Sequence, residues 1–299
     1  MWLILAFISA ALLGLYDVIK KVSLDGNAVI PVLFLNVLFC CILFLPVIIL
    51  SIFFPAIMKN SLFYLPPIAS TAHFYLFGKA VIVLSSWIFA YFSLKHLPIT
   101  IASPIKATQP ILTLVGALLI FGERLNGWQW TGIITAIASF YMLSASGKKE
   151  GISFAHNKWI YFMVFAVITG SLSGLYDKFL MARFDRMNVQ VWYNFYQLGI
   201  MSVILFTLWF PRRKTTTSFQ WRNSIPFISI LLVMADFAYF YALSYDDSMI
   251  SIVSLVRRSG VVVSFIAGAI WFKEKNLKAK FIDLLLVLLG MYFIYLGTV

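Results

Sequence analysis

Gly14-Leu15-Tyr16-Asp17 returns as Gly174-Leu175-Tyr176-Asp177, 160 positions later, and Phe121-Gly122-Glu123 returns in altered form as Phe272-Lys273-Glu274, 151 positions later. At the second offset Ser103 falls on Ser254 and Lys106 on Arg257. The matches keep their order, which marks the chain as a duplication. Around them run apolar stretches of about 20 residues, each long enough to cross a hydrocarbon core roughly 30 Å thick. Lipid offers the backbone no hydrogen bonds, so such stretches are expected as helices. Ten can be placed: Trp2–Ile19, Val29–Phe54, Ala69–Leu94, Ile99–Phe121, Trp128–Ser146, Trp159–Leu180, Val189–Phe210, Ile225–Tyr245, Met249–Phe272 and Leu277–Leu296. Five fall in each half, and an odd number turns the second copy upside down in the bilayer. Inverted repeats of this kind place a solute site near the midplane, between the halves. The expected fold is an all-α polytopic membrane protein of ten transmembrane helices. Its two inverted five-helix repeats cover residues 1–146 and 157–299.

Composition points the same way. Apolar residues are 62% of the 299 positions and charged residues 11%, against about 25% charged in soluble domains. The net charge of +12 does not imply nucleic acid, because most Lys and Arg stand between apolar runs, where topology and anionic headgroups account for them. Cys40 and Cys41 are adjacent inside an apolar run and resemble small core residues, not a disulfide framework. His73, His96 and His156 lack ligand spacing, so no metal site is expected. No catalytic set, nucleophile elbow or nucleotide-binding loop is present, so neither enzyme activity nor a cofactor is expected. Met1–Leu15 lacks a basic leader region, and Asp17, Lys20 and Lys21 follow it, so it is expected as a retained first helix.

The odd-numbered connections, counted with Lys278 and Lys280 at the start of the tenth span, hold 14 Lys and Arg and the even-numbered ones hold 4. The positive-inside rule then puts the odd connections in the cytoplasm and both termini outside a cell (inner or plasma) membrane.

Lys79, Lys106, Arg257 and Arg258 lie deep within spans, where a charge is expensive and persists by facing a polar interior, finding a partner or snorkelling. Lys178 is close enough to a helix end to snorkel. The deep acids are Asp236 and Asp283; Asp17 and Asp177 lie nearer helix ends, with Lys20 or Lys21 in reach of Asp17. Cations exceed acids by two. Lys79 is expected to pair with Asp283 or Asp236, Arg258 to serve the site or hold Asp236, and Asp236 to be the coupling candidate. Pro98, Pro104 and Pro110 surround Lys106, and Gly260 follows the arginine pair. Proline breaks helical bonding, which membranes tolerate where a cavity re-satisfies the backbone. Lys106 and Arg257 are therefore the leading solute-binding candidates. Arg258, Asn194, Gln197 and Tyr239 are expected nearby, and Trp192 and Tyr193 are read as interfacial anchors.

The stretch Pro110–Tyr141, with Phe121-Gly122-Glu123-Arg124-Leu125 and then Trp128-Gln129-Trp130-Thr131-Gly132, resembles the drug/metabolite transporter superfamily, in particular its EamA-like members. The resemblance extends over nearly the whole chain. It implies secondary transport by alternating access, with both termini usually inside; the local charges depart from that orientation. Lys106, Arg257 and Arg258 also look like the basic residues with which organelle phosphate-sugar and nucleotide-sugar carriers of this superfamily hold phosphate. The function expected is movement of a small organic metabolite bearing a phosphate or carboxylate. Export of amino acids or amphipathic drugs is the alternative, and a non-transporting scaffold is a third. The partners are a small-molecule solute and membrane lipid; a homodimer is compatible, but a monomer suffices.

Overall fold

The computed structural model describes residues 2–113, 126–148, 154–181, 183–245, 253, 256–274 and 277–297. Every regular element among them is helical: α1 (Trp2–Leu24), α2 (Val29–Phe53), α3 (Pro55–Met58), α4 (Ser70–His96), α5 (Ile99–Ala107), α6 (Gly127–Lys148), α7 (Lys158–Met181), α8 (Arg186–Ile204), α9 (Ser224–Leu243), α10 (Val261–Ile270) and α11 (Leu277–Leu296). Seven of them, counting α8 with its π and 3₁₀ extension to Arg212, are long and apolar enough to cross a membrane. The expected fourth and ninth spans are present among the described residues only as shorter pieces, α5 and α10. Residues 121–125, Ser254 and the Lys178 side chain lie outside the described residues.

Helix ends follow local chemistry. Asp185 caps α8 by accepting from Met187 N at 2.8 Å and Asn188 N at 3.3 Å, which satisfies donors that have no partner inside the helix. α1 closes at Gly26, whose φ of 59° suits a residue without Cβ. α5 follows Pro98, which offers no capping side chain. Its first donors, Ile99 N at 2.7 Å and Thr100 N at 3.0 Å, are taken instead by the Glu274 carboxylate from the far end of the chain.

The polarity is inside out. Phe53, Ile57, Phe74 and Val203 are exposed, whereas Asp17, Lys20, Lys79, Asp177, Asp236, Lys280 and Asp283 are buried. A protein folded in water does the reverse, and with seven qualifying helices the chain is a multi-pass membrane protein. The main packing pairs are α1 with α9, α4 with α7, α6 with α11, α2 with α8, α2 with α9, α4 with α8, and α5 with α10.

Several sequence assignments of charge change. Lys20 and Lys280, counted above as connection residues, are 2% and 0% exposed; Lys280 Nζ donates to Thr100 Oγ1 at 2.9 Å. Lys21 Nζ donates to the Leu94 and Leu97 carbonyls, each at 2.7 Å. A Lys can thread its alkyl stem through the core and deliver its ammonium to a distant acceptor, so position near a helix end did not reveal these roles. Eleven of the fourteen odd-connection charges remain once these three are set aside, and the bias keeps its sign.

Candidate functional site

Two helix breaks build the site. In α5, Pro104 lies inside the helix and brings no N–H to the Thr100 carbonyl, and Pro110 brings none to the Lys106 carbonyl. The chain turns at Thr108, whose N and Oγ1 both donate to Ile105 O, at 3.1 and 2.7 Å. The helix resumes with Ile111 N donating to Thr108 O at 3.0 Å. In the second half Ser259 does the same: its N and Oγ donate to Val256 O at 3.0 and 2.6 Å, and Val262 N donates to Ser259 O at 2.9 Å. All three residues of this bonding set are 151 positions from their counterparts.

Each break follows cationic residues. Lys106 from α5 and Arg257 and Arg258 ahead of α10 line one cavity with Gly14 and Asp17 of α1. Lys106 Nζ lies 2.8 and 2.6 Å from the two carboxylate oxygens of Asp17. Lys20 Nζ reaches Asp17 Oδ1 at 2.6 Å and sits 4.3 Å from the Tyr16 ring centre. Arg257 is ion-paired to Asp236 and stacks over Tyr239, 4.1 Å from its ring centre. The Tyr193 hydroxyl donates to the second Asp236 oxygen at 2.9 Å. Arg258, part-buried in the same cavity, has no hydrogen bond or ion pair with any described residue; Arg257, Tyr239, Asp17 and Asp236 supply its electrostatic surroundings.

Lys79 pairs with neither Asp283 nor Asp236. Its Nζ lies 2.5 Å from Asp177 Oδ1 and donates to Ser173 Oγ at 2.6 Å, because α4 packs on α7. Asp283 is on α11, where its carbonyl accepts from Ser139 Oγ of α6 at 2.7 Å; it does not line the cavity. Of the two roles expected for Arg258, that of holding Asp236 falls to Arg257. Asp17 and Asp177, placed near helix ends in the sequence, are 8% and 7% exposed and bear directly on the ion pairs. Tyr193 is not an interfacial anchor but a buried donor to an acid.

Among the described residues the interior therefore holds Lys20, Lys79, Lys106, Arg257, Arg258 and Lys280 against Asp17, Asp177, Asp236 and Asp283. The excess of two positive charges is the one expected, with different members. Asn194 and Gln197 are both buried on α8 and are absent from the cavity wall. Of the residues missed, Asp17 had a signal: it is repeated as Asp177, and each stands well inside a helix, α1 or α7.

A sequence profile of the EamA-like transporter family matches residues 1–145 and 157–296. One crystal structure of a protein is 13% identical, with a TM-score of 0.67, covering 99% of this chain and 98% of its own; at that identity the likeness is one of fold. No curated protein matches the sequence significantly.

Proposed function

The chain belongs to the EamA-like transporter family, and from that premise we propose that it carries a small organic anion, bearing a phosphate or carboxylate, by alternating access through the cavity between its two halves. It is a membrane transporter of the drug/metabolite type; the anion is the added element. Arg258 carries it. An arginine part-buried within a membrane protein, with no ion-paired carboxylate among the described residues, is expensive, and its planar fork matches phosphate or carboxylate oxygens. Lys106 and Arg257 are held by Asp17 and Asp236, so they contribute field and position while Arg258 offers the free donors. Tyr239, Asn194 and Gln197 are assigned to the rest of the solute, and Asp236 is the candidate coupling carboxylate.

Two inverted five-helix repeats, ten spans in all, support alternating access. The packing pairs favour this. Exchanging spans one to five with spans six to ten maps α1·α9 onto α7·α4 and returns α2·α8, α5·α10 and α6·α11 to themselves. The breaks at Thr108 and Ser259 share one bonding pattern at one offset. Such broken helices place backbone groups at a solute site.

Uptake into proteoliposomes tests the anion. Arg258→Gln should lower uptake of a transported organic phosphate or carboxylate by about tenfold or more, a loss of roughly 1.4 kcal/mol of binding, with an unchanged or higher melting temperature. Wild-type uptake by Arg258→Gln, or uptake confined to neutral amino acids and lipophilic cations, overturns it. The chain is assigned to the cell (inner or plasma) membrane with both termini outside. A reporter after Val299 should accordingly be extracytoplasmic and one within residues 211–224 cytoplasmic; the reverse pattern restores the family's usual orientation.

A further inference from the structure

Gln190, Asn194 and Gln197 recur at helical spacing on α8, and none is more than 2% exposed. Gln190 Nε2 donates to Val233 O at 3.2 Å and Asn194 Nδ2 to Gln190 O at 2.6 Å. Among the described residues, Asn194 Oδ1 and both Gln197 side-chain polar atoms have no hydrogen-bond partner, nor has Asn36 Nδ2 on α2. Asn36 is fully buried, and its Oδ1 accepts from Ser229 Oγ of α9 at 3.0 Å.

These atoms belong to one level of the molecule. α2 and α8 pack together, with Phe44 against Met187 and Val191 near one end and Leu33 and Val37 in the same cluster as Met201 near the other. That antiparallel register brings Asn36 level with Gln197 and Cys40 level with Tyr193. Tyr193 in turn donates to Asp236, which holds Arg257. The amide cluster therefore adjoins the Tyr193–Asp236–Arg257 network, whose Arg257 lines the same cavity as Arg258.

Among the described residues, two acceptors, Asn194 Oδ1 and Gln197 Oε1, and two donors, Asn36 Nδ2 and Gln197 Nε2, at this level have no hydrogen-bond partner. An anion would meet the amide oxygens and a cation would meet the amide N–H groups. A hydroxyl both donates and accepts, and suits both sets. We infer that Asn36, Asn194 and Gln197 form a subsite for a hydroxyl-bearing, uncharged part of the solute whose anionic group is held at Arg258. This rests on the anion assignment above and narrows its substrate class to hydroxylated organic phosphates or carboxylates. Buried polar groups left unpaired disfavour a ligand that lacks the matching hydroxyl.

Matched pairs of ligands test this in thermal-shift titrations of the purified chain: glycerol 3-phosphate against propyl phosphate, and glycerate against propanoate. The wild type should bind the hydroxylated member of at least one pair about tenfold or more tightly. Gln197→Met should bring both members to parity while keeping the affinity for the deoxy compound, and without ligand should melt no lower than wild type. Arg258→Gln should lose both members. Equal binding of both members by wild type overturns the hydroxyl subsite alone, as does discrimination that survives in Gln197→Met. Absence of a shift with all four ligands overturns the anion assignment, and the subsite with it.

Discussion

At Thr108 and at Ser259 the chain leaves its helix with the same bonds, yet little around those bonds agrees. At the second-half break Gly260 lies against α1: a Cβ there would overlap the Ala10 carbonyl oxygen, and a Cβ on Gly14 would fall 2.5 Å from the Gly260 oxygen. Backbone meets backbone, and nothing can swing aside. At the first-half break the residue after Thr108 is Gln109, whose side chain lies against Gly170 of α7; a Cβ on Gly170 would meet Gln109 Oε1 at 2.9 Å. Gly174, the repeat partner of Gly14, faces open space. The charges differ as well. Lys106 is held by both oxygens of Asp17, while Arg258 has no described partner. A bonding pattern set by residues three apart survives duplication, because it needs only its own hydroxyl and carbonyl. The approach of the neighbouring helix depends on side-chain volume at the next position, and there the two halves have diverged.

Removing Asp17 should have the largest effect. Asp17→Asn leaves Lys20 and Lys106 buried without a carboxylate, and breaking a buried pair this way removes about 3–5 kcal/mol of stability. Lys106→Met added to Asp17→Asn should recover much of it. An unchanged melting temperature in Asp17→Asn would show that the contrast between a held Lys106 and an unheld Arg258 has no energetic content.

The glycines come next. Gly260→Ala forces a Cβ into the backbone of α1 and should lower stability by about 1–3 kcal/mol, in the range of other overpacked sites. Gly170→Ala displaces only the end of Gln109 and should lose less. Gly174→Ala enters open space and should gain up to about 1 kcal/mol from helix propensity. Detergent melting temperatures in any other order would sink the claim that one break is closed by backbone and the other by a movable side chain.

The smallest effect tests what the breaks share. Thr108→Val and Ser259→Ala each remove one hydroxyl-to-carbonyl bond, worth about 0.5–1.5 kcal/mol. The two losses should be equal within error. A clear inequality would mean that the matched bonds lie in environments too different to act as one motif.

The cationic positions 106, 257 and 258 were legible because charges are rare in apolar runs, and the prolines and Gly260 marked the breaks. The i, i+3 pair of Asp17 and Lys20 was within reach of helical geometry and is formed at 2.6 Å. Asp17 with Lys106, 89 positions apart, was not. The partner of Lys79 was misassigned for the same reason: its choice among Asp177, Asp236 and Asp283 depends on which helix lies beside α4.

The sequence by itself determined that this chain is helical and membrane-embedded, that it belongs to a duplicated transporter family, and that its interior carries surplus positive charge. Those properties follow from composition, from runs long enough to span lipid and from residues repeated at fixed offsets, all of which are local or additive along the chain. Only the tertiary structure decided that Lys79 holds Asp177 and Arg257 holds Asp236, that Arg258 has no ion pair among the described residues, and that Glu274 caps a helix begun 175 residues earlier. Those depend on distances between segments far apart in the chain, and such distances are set by how helices pack and by whether a glycine lets two backbones touch.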